Sequence, residues 1–268
     1  MIPQIKLVRS GLTTSRLAFG TSRLHYSSAA DRQRLLAAAL DLGMTHFDTA
    51  PAYGDGLAER ELGTFLKGRR SGVVVATKYG IPPNPVSSAV PSLTMPILAL
   101  RAIARRAGLL SGKLPVITTS GLRQSAERSL RRLSIDTIDV LLLHEPSYER
   151  VQDPDGLADE FQRLRQRGLV KYFGVAGEWT GIESLLQNTK IKCDIIQTRE
   201  TEWVGECTPD ITYGAVAGSS QSYGTAQSQI TDARSKLQAA LARRPSGSVI
   251  VSTTKVANLP ALARASEF

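Results

Sequence analysis

The stretch Thr45-His46-Phe47-Asp48-Thr49-Ala50-Pro51-Ala52-Tyr53-Gly54 governs how the rest of this 268-residue chain is organised. Residues 35–43 before it carry apolar side chains at helical spacing and end in a glycine, and residues 57–66 after it begin a second helical pattern. The stretch is therefore predicted to be a short strand that continues into a loop. A carboxylate, Asp48, and a phenol, Tyr53, lie five positions apart and can point toward one place.

Short apolar strands alternate with amphipathic helices along the whole chain. Besides the quoted stretch, predicted strands cover residues 16–20, 73–78, 138–144, 171–177, 194–198, 211–216 and 248–252. Predicted helices cover residues 27–43, 57–67, 122–133, 155–168, 181–188, 231–243 and 259–265. Eight strands alternating with helices predict an α/β fold, a (β/α)8 TIM barrel, in a single domain over residues 1–268. No Gly-x-Gly-x-x-Gly follows the first strand, which argues against a Rossmann site.

Several segments depart from regular alternation. Residues 5–9 predict a small β-hairpin element before the first barrel strand. The long segment 80–115 is expected to be a lid or binding loop, with an extra basic helix over 98–106. Residues 199–210 are too few for a full sixth helix, which we expect to be missing or a single turn. Residues 218–223 are rich in serine and glycine and are expected to be mobile.

Composition limits the classes of site. Two cysteines, Cys193 and Cys207, cannot make a disulfide framework, so a reduced, cytoplasmic compartment is expected. The three histidines, His25, His46 and His144, are scattered, so no metal site is expected. No apolar run is long enough to cross a bilayer and no secretory leader is evident, so no membrane association is expected.

The chain has a net charge of +9, from 33 basic and 24 acidic residues. Such an excess suits either a nucleic-acid surface or an anionic small ligand. Between positions 100 and 132 a single acid, Glu127, stands against a basic set: Arg101, Arg105, Arg106, Lys113, Arg123, Arg128, Arg131 and Arg132. No zinc finger, aromatic RNA-binding motif or Lys/Arg run accompanies them. We therefore interpret them as solvated helix faces and expect no nucleic-acid partner.

Four polar side chains follow or end three successive predicted strands: Asp48, Tyr53, Lys78 and His144. The C-terminal ends of barrel strands converge on one mouth, so these side chains are expected to face each other. They suit proton delivery to a carbonyl oxygen. A tyrosine with a pKa of about 10 needs a nearby cation to favour its phenolate, which Lys78 supplies while Asp48 holds the lysine. His144 would orient the carbonyl. No side chain donates hydride, so a nicotinamide cofactor is required.

The chain resembles the aldo-keto reductases over essentially its whole length. The motifs that carry the resemblance, in order, are Phe47-Asp48-Thr49-Ala50-Pro51-Ala52-Tyr53-Gly54, Ala76-Thr77-Lys78, Leu141-Leu142-Leu143-His144 and Gln197. The resemblance implies a (β/α)8 barrel, an Asp-Tyr-Lys-His tetrad with tyrosine as general acid, and NADPH bound across the barrel mouth.

The resemblance also implies roles for cofactor-binding residues. Gly20, Thr21 and Asp48 would lie near the nicotinamide ribose, Gln197 would bind the carboxamide, and Tyr213 would stack on the ring. Backbone donors at a helix start after the eighth strand would suit the adenosine phosphate. The residues of that segment are Ser252, Thr253, Thr254, Lys255 and Asn258.

Three positions depart from the family pattern. Ala176-Gly177 replaces the Ser-Asn pair that often binds the carboxamide. Asn258 replaces the arginine often used for the 2′-phosphate, which leaves Lys255 as the nearest cation and NADH as an alternative to NADPH. The chain ends at Phe268, without the long terminal loop that encloses substrate in many members. A substrate pocket is therefore expected to be shaped by His25, Tyr26, residues 80–115, Trp179 and Trp203.

The sequence leaves several functions open. The first is an NADPH-dependent reductase of small aldehydes or ketones. The second is an NAD-dependent aldose or galactose dehydrogenase, because residues 54–59 and 143–146 look similar to that branch. The third is a cofactor-binding regulatory subunit with slow turnover, and the fourth is nucleic-acid binding, which would be strongly salt-dependent. The oligomeric state stays open.

Overall fold

The computed structural model describes residues 1–106, 113–203, 208–216 and 226–266. Within them an antiparallel hairpin precedes eight parallel strands that close into a barrel, since the last strand pairs back with the first. The hairpin strands are β1 (Gln4–Lys6) and β2 (Thr13–Ser15). The barrel strands are β3 (Leu17–Gly20), β4 (His46–Asp48), β5 (Val74–Tyr79), β6 (Ile138–His144), β7 (Val170–Gly177), β8 (Ile195–Arg199), β9 (Ile211–Tyr213) and β10 (Ser248–Val251). The predicted (β/α)8 TIM barrel is confirmed.

The helices of the described residues lie mostly outside the barrel strands. They are α1 (Ala29–Asp41), α2 (Leu57–Leu66), α3 (Pro85–Ala89), α4 (Thr94–Arg106), α5 (Thr119–Leu133), α6 (Pro154–Gln166), α7 (Trp179–Asn188), α8 (Ala226–Arg243) and α9 (Leu259–Ala263). No helix in this part of the chain is long and apolar enough to span a bilayer.

Side chains alternate between the two faces of each barrel strand. In β6, for example, Leu141 and Leu143 pack outward against the helices, while Val140 and Leu142 join a separate cluster inside the barrel. That inner cluster includes Leu7 and Leu12, which belong to the turn of the N-terminal hairpin. Apolar side chains therefore fill the barrel interior, and the predicted hairpin caps its N-terminal end, which leaves the opposite mouth for a site.

The start of α5 differs from the prediction. The sequence predicted a helix over 122–133, whereas α5 begins at Thr119, and the Thr118 hydroxyl caps it by accepting the Gly121 amide at 3.1 Å. The Tyr79 hydroxyl accepts the Thr118 amide at 2.9 Å and donates to the Thr118 carbonyl at 3.0 Å. This exchange fixes Thr118 as the cap, and it ties the end of β5 to the start of α5.

The long segment after β5 contains two helices rather than one. α3 precedes α4, which begins at Thr94 and not at the predicted residue 98. The Arg101 guanidinium contacts both Asp55 carboxylate oxygens, at 3.0 and 3.1 Å, and the Asn84 amide donates to Asp55 Oδ1 at 3.0 Å. These contacts anchor the segment to the loop that carries Tyr53.

Two other predictions concern the end of the barrel. β9 ends at Tyr213 and not at residue 216, because Gly214 takes a positive φ of 81° and turns the chain out of the sheet. Residues 200–203 and 208–210 contain no helix, which agrees with the predicted loss of the sixth helix as far as these residues go. The predicted mobile segment 218–223 lies outside the described residues, and the single-domain interpretation stays a prediction.

Candidate active site

One inward-facing residue at or near the C-terminal end of each barrel strand lies at the open mouth. Because inward positions recur every second residue, these residues form one layer above the apolar interior. The layer is Gly20, Asp48, Lys78, His144, Ala176, Gln197, Tyr213 and Ser252, and all eight line a cavity of about 630 Å³. Tyr53 enters the same cavity from the loop after β4. The structure thus brings the four predicted catalytic residues together.

Lys78 and Asp48 form a buried ion pair at the floor of the cavity. Lys78 Nζ donates to Asp48 Oδ1 at 2.6 Å and to the Thr49 carbonyl at 3.0 Å. The two side chains are only 1% and 4% exposed. Burial by itself lowers the pKa of Lys78, but the charges and hydrogen bonds of Asp48 and Tyr53 outweigh it, so the lysine pKa is raised. Lys78 is therefore a fixed cation at neutral pH.

The Tyr53 ring lies close to both this cation and His144. Lys78 Nζ is 4.9 Å from the Tyr53 ring centroid, and the His144 ring meets the Tyr53 ring edge-on at 6.0 Å between centroids. Burial raises the pKa of Tyr53, and Lys78 opposes that rise without cancelling it. Lys78 therefore favours the phenolate as expected, but desolvation of the phenolate outweighs the cation, so the net shift of the Tyr53 pKa is upward. Tyr53 keeps its proton and can donate it.

His144 is a neutral hydrogen-bonding group at this mouth. Burial, with Lys78 and Arg150 as nearby cations, lowers its pKa to about 3. Its Nδ1 is buried and has no hydrogen-bond partner among the described residues. Arg150 donates to the His144 carbonyl at 3.1 Å, which holds the end of β6 in place. A neutral imidazole can orient a carbonyl oxygen without adding a charge to the site.

Two buried histidines predict a pH dependence of stability. Burial also lowers the pKa of His46 to about 4, whereas both histidines titrate near 6.5 in an unfolded chain. Between about pH 6 and 5 the unfolded chain binds more protons, so each histidine reduces the free energy of unfolding as pH falls, by about 1.4 kcal/mol per pH unit. Urea unfolding measured across this range should show the loss. In His144→Gln the slope should be smaller by that amount, and an unchanged slope would contradict the burial of a neutral His144.

Gly20, Gln197 and Thr21 differ in how they contribute to the cavity. A Cβ at Gly20 would lie 2.5 Å from Ser252 Oγ, so the close approach there depends on glycine. Gln197 Oε1 is buried and lacks a partner among the described residues, which leaves it free for a ligand donor. Thr21 does not line the cavity. It is fully buried, and its hydroxyl donates to the Asp48 carbonyl at 3.0 Å, so it positions Asp48 from behind.

The residues after β10 line the far end of the cavity. The lining residues there are Ser252, Thr253, Thr254, Lys255 and Asn258. Several of their polar atoms hold the turn itself, because Asn258 Nδ2 and the Lys255 amide both donate to Thr253 Oγ1 at 3.2 and 3.1 Å. The turn leads to a three-residue 3-10 turn and the five-residue α9, and the binding of a phosphate by backbone donors there stays a prediction. The Lys255 side chain is exposed and supplies the cation there.

Sequence reasoning missed other lining residues. They are Ser22, Arg23, Glu145, Arg199, Gly214, Val216, Ala233, Ile250, Ala261 and Leu262, together with Ala176 and Gly177, which were noted only as departures. Glu145 directly follows β6 and Arg199 ends β8, so the rule that strand ends build the mouth could have identified both. No group of three His, Cys, Asp or Glu residues in the described ranges is arranged to hold a metal ion.

The aromatic residues expected to shape the substrate pocket lie elsewhere. His25, Tyr26, Trp179 and Trp203 do not line the 630 Å³ cavity, and neither do the described residues of 80–115. Trp179 is 5% exposed and packs into the apolar layer between the sheet and the helices. Its position at the start of α7 points it into the core, which is the common fate of an aromatic side chain on an amphipathic helix.

Comparisons with known proteins agree on one family. The model of the Aldo/keto reductase family matches residues 16–202. A D-threo-aldose 1-dehydrogenase from Pseudomonas sp is 34% identical over 176 residues, which are 62% of this chain and 51% of that protein. The chain therefore spans about half the length of this curated relative.

Solved structures support the fold. An aldo-keto reductase from Bacillus halodurans in its holo form aligns with a TM-score of 0.70 at 19% identity, covering 100% of this chain and 92% of that one. An aldo-keto reductase from Klebsiella pneumoniae in complex with NADPH aligns with a TM-score of 0.66 at 19% identity, covering 100% and 90%. At this level of identity the likeness establishes the barrel architecture.

Proposed function

The chain belongs to the aldo/keto reductase family, and on this basis we propose that it is an NADPH-dependent oxidoreductase that reduces small aldehydes or ketones to alcohols. One observation carries the proposal. A protonated tyrosine, Tyr53, lies over a buried Lys78–Asp48 pair and beside a neutral histidine, all at the mouth of a ligand-sized cavity. This is an arrangement for giving a proton to a developing alkoxide.

The side chains divide the work of carbonyl reduction. Bound NADPH supplies hydride, which no amino-acid side chain provides. Tyr53 donates the proton to the carbonyl oxygen, and the fixed charge of Lys78 stabilises the phenolate that is left behind. Asp48 keeps Lys78 in place and protonated, and His144 holds the carbonyl oxygen by a hydrogen bond. Because these four side chains are largely buried, water has little access to the proton that Tyr53 donates.

The cavity also suits an elongated anionic cofactor. Gly20, Gln197 and Tyr213 would hold the nicotinamide end, and the turn after β10 would hold the adenosine-phosphate end. An aldo-keto reductase of similar fold, from Klebsiella pneumoniae, is in complex with NADPH, which supports this choice of cofactor. Besides Lys78, the cations on the cavity wall are Arg23, Arg199 and Lys255, against the acids Asp48 and Glu145 in the described lining. The surplus of positive charge favours a phosphate-bearing ligand.

Lys255 is proposed to select NADPH over NADH. In Lys255→Ala the Kd of NADPH should rise about tenfold, because one charge-assisted contact to the 2′-phosphate is lost, while the Kd of NADH stays unchanged. Fluorescence titration of Trp179 and Trp203 measures both constants. Arg264→Ala is the matched control, since Arg264 is exposed and lies outside the cavity. Equal shifts for both cofactors, or none, would refute the role of Lys255.

A sugar dehydrogenase is the second candidate. It is favoured by the likeness to the D-threo-aldose 1-dehydrogenase from Pseudomonas sp. A dehydrogenase runs the same hydride transfer in the opposite direction, from the substrate to the cofactor. Titration of the wild-type protein with NADPH and NADH in parallel separates the two. Tighter binding of NADPH supports the reductase, and equal or tighter binding of NADH with oxidation of aldoses supports the dehydrogenase. Binding of neither would refute both.

A further inference from the structure

Glu145 has an unusual backbone at the cavity mouth. It follows His144 and takes a φ of +50°, a left-handed conformation that is uncommon for residues other than glycine, asparagine and aspartate. Its amide donates to the Ala176 carbonyl at 2.7 Å, and Arg150 donates to its carbonyl oxygen. Strained residues held by such contacts cluster at functional sites. The strain here turns the side chain of Glu145 into the cavity wall.

The carboxylate of Glu145 occupies space that a side chain at position 177 would need. A Cβ at Gly177 would lie 2.6 Å from Glu145 Oε2 and 2.8 Å from Glu145 Cα. Only glycine therefore fits beside Glu145 in this arrangement. Oε2 accepts the Glu178 amide at 2.9 Å, which fixes the orientation of the carboxylate. The other oxygen, Oε1, has no donor among the described residues and is available to a ligand.

The carboxylate faces the proposed nicotinamide end of the cavity. Its negative charge contributes to the raised pKa of Tyr53 and of Tyr213, although burial is the larger cause for both tyrosines. Burial also raises the pKa of Glu145 itself, and the nearby Arg199 opposes that rise. Glu145 therefore lies within electrostatic range of both aromatic side chains that would flank the reacting ring.

Resting on the proposed function, we propose that Glu145 accepts a hydrogen bond from the nicotinamide carboxamide. The carboxamide is attached to the ring carbon next to the one that carries the hydride, so it must lie near Tyr53. Besides the four catalytic residues, the polar side chains that line this end include Glu145, Gln197, Arg199 and Tyr213. Arg199 can only donate hydrogen bonds, whereas Glu145 and Gln197 carry carboxylate and amide oxygens that accept them. The amide of Gln197 can pair with the carboxamide oxygen and one N–H. The second N–H then needs an acceptor, which Glu145 provides.

The test is a binding experiment that needs no turnover. NADP+ and its 3-acetylpyridine analogue, in which a methyl group replaces the amide nitrogen, are titrated against wild type, Glu145→Ala and Glu145→Gln. Glu145→Ala should raise the Kd of NADP+ about tenfold and leave the Kd of the analogue unchanged. The preference for NADP+ over the analogue therefore falls about tenfold. Glu145→Gln keeps an acceptor oxygen and should keep most of that preference. Thermal unfolding confirms that each variant is folded.

The remaining outcomes decide against the proposal. If Glu145→Ala raised the Kd of NADP+ and the Kd of the analogue equally, Glu145 would only shape the loop after β6. Unchanged binding of both would mean that Glu145 does not contact the cofactor. Either result overturns this inference while the proposed function stands. Failure of wild type to bind any of the nicotinamide dinucleotides would overturn the proposed function and this inference together.

Discussion

Tyr53→Phe lowers kcat for carbonyl reduction by about 10³-fold or more, while the Kd of NADPH stays within about twofold. The expected size follows from the loss of the general acid, which contributes roughly 10² to 10⁴ in rate. Phenylalanine keeps the ring that packs beside Lys78 and His144, so the geometry of the cavity is preserved. The loss should therefore appear in the chemical step and not in cofactor binding.

Tyr26→Phe is the matched control for this experiment. Tyr26 also carries a phenol after a barrel strand, but it is 71% exposed and does not line the cavity. Its rate constants should equal those of wild type. Steady-state kinetics give kcat for both variants, and titration gives the Kd of NADPH. Retention of activity by Tyr53→Phe would remove Tyr53 from the mechanism.

Lys78→Met should abolish turnover and also destabilise the fold. Without the cation, the Tyr53 phenolate loses its stabilising charge, so proton donation becomes less favourable. The variant also leaves the Asp48 carboxylate buried and unpaired, at 4% exposure, which costs about 3–5 kcal/mol of unfolding free energy. Urea unfolding measures the stability, and steady-state kinetics measure the activity.

A double variant separates the two effects. Asp48→Asn with Lys78→Met removes both charges, so most of the stability should return while the enzyme stays inactive. Lys236→Met is the matched control, because Lys236 pairs with Asp232 on the exposed side of α8 and contributes little. Wild-type stability in Lys78→Met, or no recovery in the double variant, would contradict the assigned ion pair.

The barrel could be predicted because its strands are nearly continuous apolar runs. β6 is buried at all seven positions and matches its predicted bounds, Ile138–His144. Helix ends were less accurate, because they depend on contacts between distant residues. The start of α5, for example, is set by the hydroxyl of Tyr79, which the local sequence of the helix does not contain. The early end of β9 depends on the positive φ of Gly214.

The four catalytic candidates could be predicted because residues at the ends of parallel barrel strands must meet at one mouth. The same rule places Glu145 at the mouth, but the direction of its carboxylate could not be predicted, since it depends on a left-handed backbone and on the space above Gly177. The direction of the pKa shift of Tyr53 could not be predicted from the sequence either. Its direction depends on how strongly burial opposes the charge of Lys78, which only the packed structure gives.

The most direct measurement of the central claim is deuterium transfer. The protein is incubated with NADPH carrying deuterium at both positions of nicotinamide C4 and with a panel of small aldehydes and ketones, and the alcohols are analysed by mass spectrometry and NMR. We expect one deuterium on the carbinol carbon of a product formed by wild type, and a rate of product formation lower by about 10³-fold or more for Tyr53→Phe. Tight binding of NADPH without deuterium transfer to any carbonyl would contradict the account and favour a regulatory cofactor-binding protein.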